Sequence, residues 1–225
     1  MASFLAAGTA YAVHGVPTIP FYLFYSIFGF QRVGDMVWAC GDMMCRGFLL
    51  GGTAGRTTLN GEGIQHQDGH SLVVANTVPN LKSYDPAFAY EVAIIVREGL
   101  RRMYTEHEKI FYYLTVYNEN YPMPAVGDID VVEQGVLRGL YLFARAASED
   151  PAAPVVNLFG SGSIMTQVLE ARDRLEARGI AVNVWSVTSY NELSRDALDC
   201  ERWNRLHPDA EPRVSYLESK LADMG

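Results

Sequence analysis

Short apolar runs alternate along this chain with longer segments of helical periodicity. The short runs are rich in aromatic and aliphatic residues and lack polar alternation; they lie at residues 19–25, 48–50, 110–116, 140–143, 155–159 and 181–187. Strands of this composition are buried on both faces, which is typical of parallel sheets covered by helices. The repeated order of strand, helix and strand therefore predicts an α/β fold with parallel sheets flanked by helices.

Helices are predicted between these strands, at residues 3–13, 33–45, 86–103, 164–178 and 192–198. Asp85 and Pro86 are predicted as the cap and the first turn of the third helix, because Asp and Pro are favoured at those positions. The apolar stripe of that helix leaves Glu91 on another face.

The first charged residue of the chain is Arg32, so the N-terminal region is apolar enough to suggest a membrane span. Gly15, Pro17 and Pro20 divide this stretch into two shorter pieces, and it lacks the cationic start of a signal peptide. We therefore predict that both pieces form protein core. An N-terminal region as apolar as this one also predicts that further sequence precedes these residues in a longer protein.

Charge and cysteine content narrow the possible functions. The net charge is −8 without blocks of Lys or Arg, which argues against sequence-independent binding to nucleic acids. Three cysteines in a chain of 225 residues favour a reducing compartment, the cytoplasm by default. Cys40 and Cys45 have no second Cys/His pair nearby, so they are predicted to be buried helical thiols and not zinc ligands.

Two pairs of side chains are candidates for chemistry, because ligands of parallel sheets bind beyond the carboxyl ends of the strands. Tyr25 and Phe28 lie where a strand passes into a helix and could form a shelf for a flat ligand, although from spacing alone ordinary core packing is the simpler explanation. Glu62 and His66 lie in the long loop at residues 51–69 and could hold and pass protons. The alternative for this second pair is a solvated loop with a hydrogen-bonded histidine. His70, close behind, is predicted to be a structural hydrogen-bonding residue or the start of a helix.

The turn Gly160-Ser161-Gly162-Ser163 lies between a predicted strand and a predicted helix, a position where free amides can bind an anion. It lacks the full dinucleotide fingerprint, since Met165 stands at the position of the third glycine. A tight turn without a ligand is the simpler interpretation. The chain contains no G-x-S-x-G, P-loop or HExxH motif, which disfavours the common hydrolases, kinases and zinc proteases.

Several longer motifs are specific. They are FGFQRVGD at 28–35, GRTTLNGEGIQHQDGHS at 55–71, SYDPA at 83–87, NENY at 118–121, GSGS at 160–163, SVTS at 186–189 and DCERWN at 199–204. In this order they closely resemble the homodimeric bacterial type of pyruvate dehydrogenase, the thiamine-diphosphate-dependent decarboxylating component of the multienzyme complex. The resemblance covers essentially the whole chain.

This resemblance implies a transketolase-like architecture. Residues 1–124 would be a pyrimidine-binding domain that lacks its start, residues 125–132 a linker, and residues 133–225 the first part of a transketolase C-terminal-like domain. Tyr25 and Phe28 would line the aminopyrimidine pocket of the coenzyme, and Glu62 and His66 would face the reacting carbon. The activity implied is decarboxylation of pyruvate on thiamine diphosphate, followed by acetyl transfer to a lipoyl group of the dihydrolipoyl acetyltransferase component. The intact protein would be a cytoplasmic homodimer that binds neither nucleic acid nor membrane.

The resemblance also implies what these residues do not supply. In the family, a glutamate that promotes coenzyme activation precedes the segment beginning at Ser3, and a Gly-Asp-Gly motif, absent from this sequence, helps to hold Mg²⁺ and the diphosphate. We therefore expect the isolated chain to bind the coenzyme poorly, to be inactive, and to self-associate through apolar surface. A non-catalytic α/β assembly or remnant module is the main alternative. A third hypothesis, a nicotinamide-dependent oxidoreductase, is supported only by the turn Gly160–Ser163.

Overall fold

The computed structural model describes residues 1–55, 66–147, 154–222 and 224. The first sheet and its helices comprise α1 Ala2–Val13, β1 Phe21–Tyr25, α2 Ser26–Asp42, β2 Phe48–Gly52, α3 Ser71–Ala75, β3 Leu81–Tyr84, α4 Ala89–Leu100 with a π-helical turn Arg101–Thr105, and β4 Phe111–Thr115. The remainder comprises α5 Ile129–Arg138, β5 Tyr141–Ala144, β6 Val155–Gly160, a 3₁₀ turn Gly162–Ile164, α6 Met165–Glu176, β7 Ala181–Ser186, α7 Tyr190–Leu206 and α8 Tyr216–Leu221. The predicted α/β class is confirmed.

The first sheet is parallel throughout, with strand order β1-β2-β4-β3. The register pairs Tyr25 with Gly52, Gly51 with Thr115, and Tyr84 with Leu114. All four strands therefore end at one edge of the sheet, where a parallel α/β protein places its ligands.

Helices cover both faces of this sheet. On one face α1, α2 and α3 pack over a core that includes Tyr113, and on the other face α4 and α5 pack over a core that includes Tyr112. Both tyrosines lie in β4 and neither exposes surface to solvent. Because successive strand residues point to opposite faces, this central strand is buried on both sides, as its unbroken apolar run predicts.

The predicted burial of the first strand is wrong. Phe21, Leu23 and Tyr25 are each more than half exposed, whereas Tyr22 and Phe24 pack against the core. The reason is position, because β1 forms an edge of the sheet and none of the described helices covers its outer face. Apolar composition alone does not distinguish an edge strand from a central one.

The second sheet has the order β5-β7-β6 and is mixed. β6 and β7 are parallel, as the strand–helix–strand pattern predicts, but β5 is antiparallel to β7. The helical crossover α6 links β6 with β7 and imposes the parallel direction on that pair only. β5 enters directly from α5 through a turn at Gly139, whose φ is +102°.

Two details of the predicted helices are corrected. Asp85 is not a helix cap, because α4 begins at Ala89 and its capping carboxylate is Glu91, which accepts the backbone N–H groups of Ala87 and Phe88. Glu91, predicted to lie off the apolar stripe, is completely buried. Cys40 and Cys45 are both buried, but Cys45 lies beyond the end of α2.

We call the first sheet with its covering helices the first unit, and the elements from β5 onward the second unit. Helix α7 of the second unit packs against β3 of the first sheet. The contact is polar: Asn191 Nδ2 donates to Ser83 Oγ at 2.6 Å, and Ser189 Oγ donates to the Ser83 carbonyl at 2.6 Å. The Arg195 guanidinium donates to the Leu81 carbonyl at 2.7 Å. None of the described helices is both long enough and apolar enough to span a membrane.

Candidate active site

Three aromatic rings converge where β1 ends. Tyr25 is the last residue of β1, and α2 begins at the next residue, so Phe28 lies in the first turn of the helix. The centroids of the Tyr25 and Phe28 rings are 6.1 Å apart with an interplanar angle of 70°. The imidazole of His66 lies edge-to-face with both rings, 5.7 Å from Tyr25 and 5.2 Å from Phe28.

The His66 imidazole has an unusual environment. Its Nδ1 atom is buried, and no described residue forms a hydrogen bond with it. A buried polar atom of this kind is costly unless a ligand or ordered water supplies the missing partner. The half-exposed ring of Tyr25 leaves the cluster open on one side. The cluster therefore has the features of a binding site that a ligand would complete.

Of the four predicted site residues, the structure brings together Tyr25, Phe28 and His66. Glu62 lies in residues 56–65, outside the described part of the chain, so its pairing with His66 stays a prediction. Sequence reasoning missed Arg32, whose guanidinium carbon lies 4.3 Å from the centroid of the Phe28 ring. The sequence contained a signal for this contact, because Arg32 is one helical turn after Phe28 and is the first charged residue of the chain.

The segment that follows His66 is held by hydrogen bonds. Asp68 Oδ1 accepts the backbone N–H groups of His70 and Ser71, at 3.1 and 3.0 Å. His70 precedes α3 and its Nε2 atom lies 3.1 Å from Gln31 Nε2. His70, predicted to be a structural hydrogen-bonding residue or the start of a helix, is the N-cap of α3 with a hydrogen bond to Gln31.

A second polar cluster surrounds Asp85 at the same edge of the sheet. Its carboxylate accepts hydrogen bonds from Thr115 Oγ1 at 2.5 Å, from Ser161 Oγ at 2.9 Å and from the Tyr117 hydroxyl. Removal from water raises the pKa of Asp85, and these three hydrogen bonds oppose that change only in part. Asp85 also borders a cavity of about 520 Å³ between the two units, together with Tyr190.

The turn Gly160–Ser163 belongs to this junction. The Gly162 amide donates to the Asp85 carbonyl at 3.1 Å, and Ser161 donates to the Asp85 carboxylate. The Gly162 amide, one of those that an anion would bind, is thus already used. This arrangement favours a tight turn without a nucleotide.

Glu91 forms a buried junction of its own. Its Oε1 atom accepts hydrogen bonds from Ser186 Oγ and the Tyr141 hydroxyl, both at 2.7 Å. Burial raises the pKa of Glu91, while these bonds act in the opposite direction. Because Glu91 also caps α4, it joins the first unit to β5 and β7 and has a structural role. In the part of the chain that the structure describes, His, Cys, Asp and Glu form no group of three or more that could hold a metal ion.

Comparison with known proteins assigns this architecture. Residues 1–124 match the family model of the pyruvate dehydrogenase E1 component middle domain. The chain belongs to the pyruvate dehydrogenase E1 component family. Residues 139–224 match the transketolase-like C-terminal domain. The resemblance seen in the sequence motifs is thereby confirmed.

E1 components of two bacteria show the extent of the match. The chain is 55% identical to the pyruvate dehydrogenase E1 component of Pseudomonas aeruginosa over 222 residues, which are 98% of this chain and 25% of that protein. It is 52% identical to that of Escherichia coli over 223 residues, with the same coverage. The chain therefore spans about a quarter of the length of these E1 relatives.

Solved structures agree with the E1 assignment at the level of the fold. A transketolase from Campylobacter jejuni superposes with a TM-score of 0.63 at 22% identity, over 85% of this chain and 27% of that one. A split-gene transketolase, described as an inactive β4 tetramer, superposes with a TM-score of 0.59 at 19% identity, over 91% of this chain and 58% of that one. The predicted transketolase-like architecture is confirmed.

Proposed function

We propose that this chain supplies the aminopyrimidine side of the coenzyme site in a thiamine-diphosphate-dependent, pyruvate-decarboxylating E1 component. The observation that carries the proposal is the convergence of Tyr25, Phe28 and His66 at the carboxyl edge of a parallel sheet. Family membership and the position of this edge support the assignment.

The residues present fit this coenzyme. Two aromatic rings offer the apolar walls that a flat aminopyrimidine requires, and the Nδ1 atom of His66, to which no described residue forms a hydrogen bond, offers a hydrogen-bonding position beside them. Thiamine diphosphate, when bound, supplies the electron sink that accepts the electron pair released when carbon dioxide leaves pyruvate.

The chain's own residues bind, orient and exclude water. In this proposal Tyr25 and Phe28 hold the flat ring and keep water from its faces. His66 donates or accepts a hydrogen bond at the substrate, because a neutral imidazole can do either at its two nitrogen atoms. Glu62 is proposed to act with His66 in moving protons near the reacting carbon. Arg32, whose guanidinium lies over the Phe28 ring, is proposed as a positioning residue for that ring.

Magnesium and the diphosphate are proposed to bind to residues outside these 225, since the sequence lacks Gly-Asp-Gly. The diphosphate and its metal form the most strongly charged part of the coenzyme, so their ligands provide the main electrostatic anchor. We therefore expect calorimetry of the 225-residue chain to detect at most weak binding of thiamine diphosphate, with or without Mg²⁺. Tight, magnesium-dependent binding would contradict this part of the proposal.

The activity can be tested in a chimera. The corresponding segment of the Pseudomonas aeruginosa relative is exchanged for this chain, and two rates are measured: carbon dioxide release from pyruvate and acetyl transfer to an isolated lipoyl domain. We expect activity in the chimera and a loss of at least about tenfold in His66→Ala, because a positioned acid or base contributes on the order of 100-fold. A folded chimera that binds the coenzyme but releases no carbon dioxide would overturn the proposal.

We propose that the exposed face of β1 is the surface through which two subunits assemble. Phe21, Leu23 and Tyr25 form an apolar row beside the site, which suits a site completed by a second subunit. We propose that the complete enzyme is a cytoplasmic homodimer that works with a dihydrolipoyl acetyltransferase component. The same face would serve a non-catalytic assembly module, and an inactive chimera that still dimerises would favour that alternative.

A further inference from the structure

We propose that Asp68 is a positioning residue for His66, acting together with Ser71 and Tyr113. The inference deepens the proposed function and rests on it, because it assigns His66 to the reacting centre. In this proposal Asp68, Ser71 and Tyr113 act by holding the backbone that carries the imidazole.

Asp68 closes the turn that follows His66. Its Oδ1 atom accepts two successive backbone N–H groups, those of His70 and Ser71, and its Oδ2 atom accepts the Ser71 hydroxyl. Asp68 is only 8% exposed and Ser71 only 2%. The carboxylate therefore satisfies three donors at the start of α3 and fixes the chain direction two residues after the imidazole.

Tyr113 ties this turn to the centre of the sheet. Its hydroxyl donates to Ser71 Oγ at 2.9 Å, so hydrogen bonds run from Tyr113 through Ser71 to Asp68. The Tyr113 ring is fully buried and stacks on Phe24 with an interplanar angle of 4°. Gly51 on β2 makes room for it, because a Cβ atom there would overlap the Tyr113 hydroxyl. The anchor is therefore a side chain with little freedom on the central strand.

The segment needs such an anchor. α3 has five residues, too few for a helix to be stable by its own hydrogen bonds. An imidazole that acts on a substrate must be held within about 0.5 Å of its productive position, usually by hydrogen bonds to the groups behind it. A second anchor comes from α7, where Asn191 Nδ2 donates to the Leu72 carbonyl at 2.8 Å.

Tyr113→Phe tests the proposal, with Tyr112→Phe as its matched control. Both substitutions remove one hydroxyl from a buried tyrosine of β4, but Tyr112 faces the opposite core. The readout is the imidazole ¹H–¹⁵N spectrum of the histidine-labelled 225-residue chain, with the His66 signal assigned through His66→Asn. We expect Tyr113→Phe to shift or double the His66 signal and to leave those of His107 and His207 in place, and Tyr112→Phe to change none of them.

A second comparison separates positioning from general stability. Asp68→Ala removes both acceptors and should displace the His66 signal, whereas Asp68→Asn retains an acceptor for the two amides and should restore the signal in part. An unchanged His66 signal in both Tyr113→Phe and Asp68→Ala would overturn the proposal. So would equal shifts at His107 and His207, since these would indicate a global change of structure.

The spectrum needs no coenzyme, so its outcome does not depend on the proposed activity. In the active chimera, Tyr113→Phe should lower kcat for pyruvate decarboxylation about tenfold, the lower end of the effect of removing a supporting hydrogen bond, with a smaller change in KM. A moved His66 signal in a chain whose chimera is inactive would leave the positioning role intact and contradict the proposed function. Full activity of Tyr113→Phe, with an unmoved signal, would contradict the positioning role alone.

Discussion

The ring of Phe28 and the imidazole of His66 lie edge-to-face with their centroids 5.2 Å apart. Phe28 belongs to the first turn of α2, after β1, and His66 follows β2 by more than ten residues, so the contact joins segments that follow two neighbouring parallel strands. This contact makes Phe28 the residue whose substitution most directly tests the three-ring cluster.

Phe28→Ala should impair function more than stability. Phe28 is half-buried and lies at the rim, so its loss should lower the free energy of unfolding by about 1–2 kcal/mol, less than for a ring in the core. The activity of the chimera should fall at least about tenfold, because one wall of the proposed pocket is lost. Phe159→Ala, in β6 and stacked on Trp185, is the matched control and should retain activity. Equal activity of the two variants would argue against the site.

The raised pKa of Asp85 leads us to expect that the stability of the chain depends on pH. Burial raises the pKa of Asp85 above the ordinary value of 3.8, so between these two values the folded state binds more protons than the unfolded state. Its contribution to stability is therefore lost as the pH rises from 3.8 through the raised pKa, and is constant above it.

Asp85→Asn removes this titration and preserves the shape of the side chain. As the pH rises through that interval, the unsubstituted chain should therefore lose stability relative to Asp85→Asn. The unfolding midpoint of the variant should increase relative to that of the unsubstituted chain. Thermal unfolding followed by circular dichroism at several pH values measures it. The exposed Asp35→Asn serves as the control, and a difference for Asp85→Asn that is independent of pH would contradict the expectation.

Alanine substitutions at two glycines with positive φ distinguish the cost of backbone strain from the cost of steric overlap. Gly162 has φ +51°, and a Cβ atom there would overlap the Tyr117 hydroxyl and approach Asp85; Gly179 has φ +78° and open space around it. Gly179→Ala should cost about 1–2 kcal/mol from the left-handed backbone alone. Gly162→Ala should cost about 1–3 kcal/mol more, because the junction of the two units must move. Denaturant unfolding measures both, and equal costs would show that the junction tolerates a methyl group.

Leu23→Lys should reduce self-association of the chain. Leu23 is 66% exposed between Phe21 and Tyr25, and a charge on an edge strand opposes pairing with another copy. Light scattering over a range of concentrations should show a smaller mean mass for this variant. Val73→Lys, at a site 69% exposed on α3, should leave the mass unchanged. A monomeric unsubstituted chain at every concentration would contradict the prediction.

Much of the fold follows from local pattern. Unbroken apolar runs located β1, β2 and β4 of the first sheet but missed β3, whose segment Leu81–Tyr84 is not an apolar run. The passage from strand to helix after Tyr25 indicated that this ring and Phe28 could meet. Helical periodicity found α4 but misplaced its start, because the Asp85-Pro86 pair has the sequence of a cap while its carboxylate bonds to Thr115, Tyr117 and Ser161, all remote in the chain.

The sequence by itself determined the family, the α/β class and the identity of the rings at the end of β1, since each depends on residue types within short segments. Only the tertiary structure decided that β1 lies at an edge, that β5 runs antiparallel, and that Tyr113 reaches Ser71. These features depend on which distant segments pair or pack. Strand neighbours and buried hydrogen-bond partners are chosen by the free energy of the whole packed chain, and no local window of sequence contains that sum.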